Sequence, residues 1–238
     1  MVAMNSILRK IFPDAFFGQI ITPKGEMNNK LLAIYTALFD HFGPQHWWPG
    51  ETPFEVMVGA VLTQNTNWNN VSRAIANLKA DNLLSLSALV ELPMEELAAR
   101  IRPAGYYNLK AGRLKNLLLF IHARYEGALD DFLVQDTETL RRHLLEVKGI
   151  GPETADSIML YAAHKPVFVV DAYTHRILFR HNLIAEEEGY HEIQDLFHGA
   201  LPQEVPLYNE YHALLVRLGK EFCKKTKPLC SSCPIEGF

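Results

Sequence analysis

Cysteine is nearly missing from this chain: three in 238 residues, all of them beyond position 222. Such a count builds no disulfide framework, and unpaired thiols suit the cytoplasm. Apolar runs long enough to span a bilayer are missing as well, so neither a helical anchor nor a membrane partner is expected. The first residues, MVAMNSILRKIFPDAFF, lack the charged head, continuous apolar stretch and small-residue cleavage site of an export signal. Alternation of period two is absent at useful length, and PVFVV at 166–170 is a short extended connection at most. Excess positive charge is also absent, the formal balance being −4. A nucleic acid would therefore have to be met by a local basic face. Residues 100–124 offer six cations (Arg100, Arg102, Lys110, Arg113, Lys115, Arg124) and no acid, and residues 217–227 offer five against Glu221 alone. A solvated helix side is the commoner reason for any single run of this kind.

The chain is rich in helical periods. Leu31, Leu32, Tyr35, Leu38 and Phe39 recur at helical spacing over 28–42, and further helices are expected at 53–64, from 68 or 69 to 79, at 83–101, and from the turn at 102–111 to about 122. Others follow at 136–145, 172–181, 193–201 and 207–218. With 48% hydrophobic residues and this length, one large domain or two small lobes can each bury a core. The fold class is all-α.

The chain is organised around residues 144–176. There an apolar helix end turns on Val147, Lys148, Gly149, Ile150 and Gly151, and a helix restarts at Pro152 with Glu153 and Thr154 in its first turn. Proline is pre-set for that position, and glutamate suits the positive end of the helix dipole. Two glycines around one aliphatic residue let backbone amides face outward toward a phosphate, with a buried Ile150 as anchor. Twenty residues after Gly151 comes Asp171, which reads on its own as the N-cap of the helix that follows.

VKGIGPETAD resembles the helix-hairpin-helix DNA-binding motif, and Asp171 in VVDAYTHR sits where the endonuclease III superfamily of DNA glycosylases carries its catalytic aspartate. Within that superfamily, WWPGETPFEVMVGAVLTQNTNW is similar to the 3-methyladenine DNA glycosylases of endonuclease III type. The resemblance covers roughly residues 30–235 and implies a two-lobed fold with a cleft between the lobes. One lobe would hold residues 1–50 and 172–238 with the C-terminal cysteines, and a six-helix barrel of residues 51–171 would carry the hairpin.

The resemblance also assigns roles. Gln64 would fill the gap left by a flipped nucleotide; a polar residue at a helix end is the plainer reading. Lys148, Gly149, Ile150, Gly151, Glu153 and Thr154 would meet the strand. Trp48 and Trp68 would sandwich the extruded base, and an indole face attracts a cationic alkylated purine by about 0.5–2 kcal/mol. Trp47 reads as a core plug. Lys220 would face the pocket. Bifunctional relatives place a Schiff-base lysine two residues after the second glycine, and here that position is Glu153. The expectation is thus a monofunctional, monomeric glycosylase that hydrolyses alkylated purines from double-stranded DNA. A glycosylase for other lesions and a non-catalytic hairpin protein are the alternatives.

Cys223, Cys230 and Cys233 follow the spacing of the superfamily's iron-sulfur ligands. The fourth ligand would fall one position beyond Phe238, so it lies past this chain, is replaced by another group, or the site is degenerate. A Na+ or K+ ion on the carbonyls of Leu145, Val147 and Ile150 is a further implication of the resemblance.

Overall fold

The structure, a computed structural model, describes residues 23–47 and 50–238. Among the described residues there is no strand, and none of the helices is long and apolar enough to cross a membrane. The helices are α1 (Pro23–Phe42), α2 (Pro53–Leu62), α3 (Trp68–Ala80), α4 (Leu86–Glu91), α5 (Met94–Arg100), α6 (Tyr107–Tyr125), α7 (Leu129–Leu133), α8 (Thr137–Glu146), α9 (Pro152–Ser157), α10 (Ala172–Arg180), α11 (Tyr190–Ala200) and α12 (Val205–Glu221). A π-helical turn, Ile158–Ala162, continues α9. The single period expected at 83–101 is two helices, because Leu92 and Pro93 leave helical geometry between them.

The chain forms two compact units: Met1–Trp47 with Pro166–Phe238, and Trp48–Lys165. The second division falls six residues ahead of the expected boundary at 171. Its physical reason is Phe168, whose ring stacks on Phe197 at 3.7 Å and meets Tyr208 edge-on at 5.4 Å, so the 166–170 connection belongs to the terminal unit. The core of that unit is built where α1 packs on α11 and α12, and α12 on α10. Leu31, Ile34 and Leu38 are fully buried there, and the Tyr211 hydroxyl donates to the Leu31 carbonyl at 2.7 Å.

The middle unit is arranged around α2. Every residue from Phe54 to Leu62 is buried, as expected of a helix apolar on all sides, and α2 packs on the π turn and on α6. Such a helix must satisfy its terminal backbone groups without help from water. At its start the Thr52 hydroxyl accepts the Glu55 N–H at 3.1 Å, while the Glu55 carboxylate accepts the Glu51 N–H at 3.2 Å and pairs with Lys79 at 3.0 Å. At its end Lys110 of α6, only 1% exposed, donates to the Leu62 carbonyl at 2.9 Å and to the Ala104 carbonyl at 2.7 Å. Burial, with Arg113 nearby, lowers its amine to about 8.

The hairpin joins α8 to α9. Arg141 of α8 grips the buried Asp156 of α9 with two hydrogen bonds, at 2.8 and 3.1 Å. Ile150, 5% exposed, anchors the turn, and its N–H donates to the Val147 carbonyl at 3.0 Å. The two glycines differ. Gly149 has φ +98°, and a Cβ there would run into the Arg113 stem; Gly151 has φ −97° with open space around it.

Two outcomes follow from these contacts. Lys110→Met should destabilise the protein by about 1–3 kcal/mol, because two buried carbonyls lose their donor; urea unfolding measures this, and an unchanged midpoint would remove Lys110 from the role. Gly149→Ala should lower the melting temperature clearly while Gly151→Ala leaves it within a degree or so of the parent, since only the first meets both strain and a clash.

Candidate functional site

The hairpin and Gln64 meet in the middle unit. Helix α2 ends at Leu62, so Gln64 lies in the turn beyond it rather than in the helix. Its side-chain amide donates to the Gly149 carbonyl at 3.2 Å and to the Thr154 hydroxyl at 2.9 Å, and its oxygen accepts from Arg113 Nη1 at 2.5 Å. Thr154 is therefore a buried internal partner of Gln64. Lys148, Gly149, Gly151 and Glu153 are exposed, and the Lys148 carbonyl accepts from Asn116 of α6 at 2.9 Å. Trp68 opens α3 and is half-buried. Trp48 lies outside the described residues. Leu145 is exposed and Val147 buried.

The basic stretch at 100–124 does not form the charged face expected of it. Lys110 and Lys115 are buried with their amines on backbone carbonyls, Lys115 on that of Val90 at 2.8 Å. Arg100 pairs with Asp81 at 2.8 Å and Arg124 with Glu146 at 2.7 Å. Arg102 lies over the Tyr107 ring at 5.8 Å, beside a Tyr106 that is 70% exposed with φ +46°. Two of the six cations, Lys110 and Lys115, close helix ends. Arg217, in the second run, likewise pairs with Glu221 at 2.9 Å.

In the terminal unit Asp171 caps α10. Its Oδ1 accepts the Thr174 N–H at 2.7 Å and the Thr174 hydroxyl at 2.9 Å, while Oδ2 lies 3.6 Å from His212 Nε2. The carboxylate is 12% exposed. Burial alone would push its pKa up; the nearby His212 imidazole, then the Thr174 donors, outweigh that and hold it below its ordinary 3.8. Sequence reasoning missed His212. Its approach to Asp171 is made by the packing of α12 on α10, which no local pattern announces. The two helices are in close contact at Gly219, where a Cβ would collide with the Tyr173 ring, and Arg176 ties them by donating to the Gly219 carbonyl at 3.3 Å and the Cys223 carbonyl at 2.9 Å.

Lys220, exposed at the end of α12, holds its ammonium 5.5 Å from the Trp47 ring centre. Trp47, expected as a core plug, is half-buried with its indole nitrogen buried, and its ring faces the Lys220 ammonium.

Cys223, Cys230 and Cys233 are free thiols around one cavity of about 260 Å³, which Arg180, His181 and Phe238 also line. Arg180 Nη1 donates to Cys223 Sγ at 3.3 Å, and burial raises the Cys233 thiol. Among the described residues no three His, Cys, Asp or Glu are gathered for a single metal ion.

Residues 58–203 match the HhH-GPD superfamily of base excision DNA repair proteins. A Methanocaldococcus jannaschii protein that carries the name of a DNA repair glycosylase is 50% identical over 207 residues, 86% of this chain and 93% of its own length. Endonuclease III of Thermotoga maritima is 27% identical over 181 residues, 76% of this chain and 79% of its own. Among solved structures, the H. pylori 3-methyladenine DNA glycosylase MagIII bound to 1,N6-ethenoadenine has a TM-score of 0.68 at 32% identity, across 83% of this chain and 97% of that one. A non-covalent endonuclease III–DNA complex, at 21% identity and a TM-score of 0.74 over 87% of this chain and 92% of that one, shares the fold. By these matches and by its helical architecture, the chain belongs to the HhH-GPD superfamily of base excision DNA repair proteins.

Proposed function

We propose that this protein is a monofunctional DNA N-glycosylase that swings damaged bases out of the duplex and hydrolyses them off, alkylated purines such as 3-methyladenine foremost. The observation that carries the reading is the Asp171 carboxylate. One oxygen is locked by the start of α10, the other faces His212, and the group stays ionised at neutral pH. An ionised carboxylate stabilises the positive charge that develops on the deoxyribose as the glycosidic bond lengthens, and it can take a proton from the attacking water. It has no proton to give to the leaving group. A cationic alkylated purine needs none, which is why this chemistry suits that substrate class. The 32% identity to an H. pylori enzyme named for 3-methyladenine supports the same choice.

Glu153 supports the monofunctional part, since it stands where bifunctional relatives carry the attacking lysine, and an exposed carboxylate cannot form a Schiff base. The exposed hairpin turn would hold the strand, Gln64 would fill the gap, and Trp48 and Trp68 would stack on the extruded base. Lys220 would stand at the pocket with Trp47. The cluster and cation sites belong to the same proposal. Cys223, Cys230 and Cys233 would hold three corners of an iron-sulfur cluster, which would supply a rigid cross-link of the last residues. A Na+ or K+ ion would rest on the carbonyls of Leu145, Val147 and Ile150, the second of which already accepts the Ile150 N–H and has one lone pair left.

Incubation with alkylated genomic DNA, followed by chromatography of the released bases, tests the reading. Wild type should release 3-methyladenine; Asp171→Asn should lose about two to three orders of magnitude of rate while still binding duplex. Borohydride should trap no covalent adduct with wild-type protein, and a trapped adduct would refute the monofunctional mechanism. In denaturation, the depressed carboxyl contributes stability at neutral pH that disappears as pH falls below 3.8. Asp171→Asn should flatten that acid-side fall, and Asp171→Ala should cost about a further 1 kcal/mol through the lost cap.

A further inference from the structure

Arg113 differs from its neighbours. Arg100, Arg124, Arg141 and Arg217 each pair with a carboxylate, whereas among the described residues Arg113 has a single hydrogen bond, to the neutral oxygen of Gln64 at 2.5 Å. It is half-buried, with its stem filling the place a Gly149 side chain would take, and it stands close enough to the buried Lys110 to help lower that amine. A partly desolvated guanidinium beside a second cation, with no acid to balance it, is a place prepared for an anion. The anion available at this turn, on the reading proposed above, is a phosphate of the DNA strand that the hairpin holds.

Gln64 is the counterpart. Its oxygen is taken by Arg113, and its amide nitrogen serves the Gly149 carbonyl and the Thr154 hydroxyl. A side chain so engaged cannot enter a gap in a base stack or bond an orphaned base until these contacts are given up. We propose that Arg113 is a latch for Gln64: in the free protein it holds the amide back against the hairpin, and in the complex a strand phosphate takes the guanidinium and releases it. The exchange is favoured because a phosphate adds an opposite charge and a bidentate geometry that the neutral amide oxygen of Gln64 lacks. The phosphate brings a negative charge where a neutral partner stood, and the two cations already there offset it. Arg113 is thus a positioning residue for gap filling, and it makes the withdrawal of Gln64 from the hairpin conditional on a backbone contact.

The inference rests on the DNA reading but fails separately from it. Binding of the full-length protein to a duplex with a tetrahydrofuran abasic site, and to the intact duplex, should be measured across a salt series. Arg113→Gln should reduce the slope of log affinity against log salt by about one on both duplexes, and Arg113→Lys should keep it. In parallel, the Gln64 side-chain amide resonance, assigned with Gln64→Ala, should shift on saturation with the abasic duplex. An unchanged slope in Arg113→Gln, or a Gln64 resonance that stays in place in the saturated complex, overturns the latch. Loss of all duplex binding by wild type would instead sink the DNA reading itself. If Gln64→Ala keeps the full preference for the abasic duplex while slope and resonance behave as expected, the release is supported and the gap-filling role is not.

Discussion

A helix buried on every side leaves no water to satisfy its ends, and the middle unit is built around meeting that demand for α2. Thr52 and Glu55 close one end, and the Lys110 ammonium closes the other against the Leu62 carbonyl. Because Lys110 comes from α6, the same helix that closes α2 also supplies Arg113 and Asn116, one turn and two turns further along. Those two side chains reach Gln64, Gly149 and the Lys148 carbonyl. The end of α2, Gln64 two residues beyond it and the glycine turn are thus set in register by one face of one helix. Alter the spacing of that face by a single residue and all three partners are lost together.

In the terminal unit one side chain caps a helix and would, in the proposed mechanism, also face the sugar. A carboxylate has about four acceptor positions on two oxygens. Capping α10 uses Oδ1, whose two Thr174 bonds also stop the group from rotating. Oδ2 is left toward His212, on a side chain that is 12% exposed as a whole. A carboxylate already fixed in orientation need not reorganise when charge develops beside it, and most of the electrostatic benefit in such chemistry comes from avoiding that cost.

Much of this was legible in the chain itself. The glycine turn, Pro152 at the first helical position and Asp171 as a cap are local features with local causes, and they stand where the pattern put them. The anchoring burial of Ile150 was readable for the same reason. The basic stretch at 100–124 was not, because charge counts do not tell a solvated lysine from one turned inward to close a helix. Lys110 and Lys115 are of the second kind, and nothing in their neighbourhood along the chain says so. Arg113 and His212 escaped because their meaning depends on partners 49 and 41 residues away; the spacing Lys110, Arg113, Asn116 hints at a shared face, while His212 gives no such hint. The expected 83–101 helix breaks at Pro93, whose ring forbids its continuation, a local signal the sequence does carry.

The capping duty of Asp171 has an evolutionary corollary. A descendant that had lost all chemistry would still gain by keeping an aspartate there, since the helix start needs an acceptor whether or not a sugar ever approaches. Retention of that acid among distant relatives is therefore poor proof of activity. The imidazole at 212 caps no helix, so its retention would not follow from the same cause.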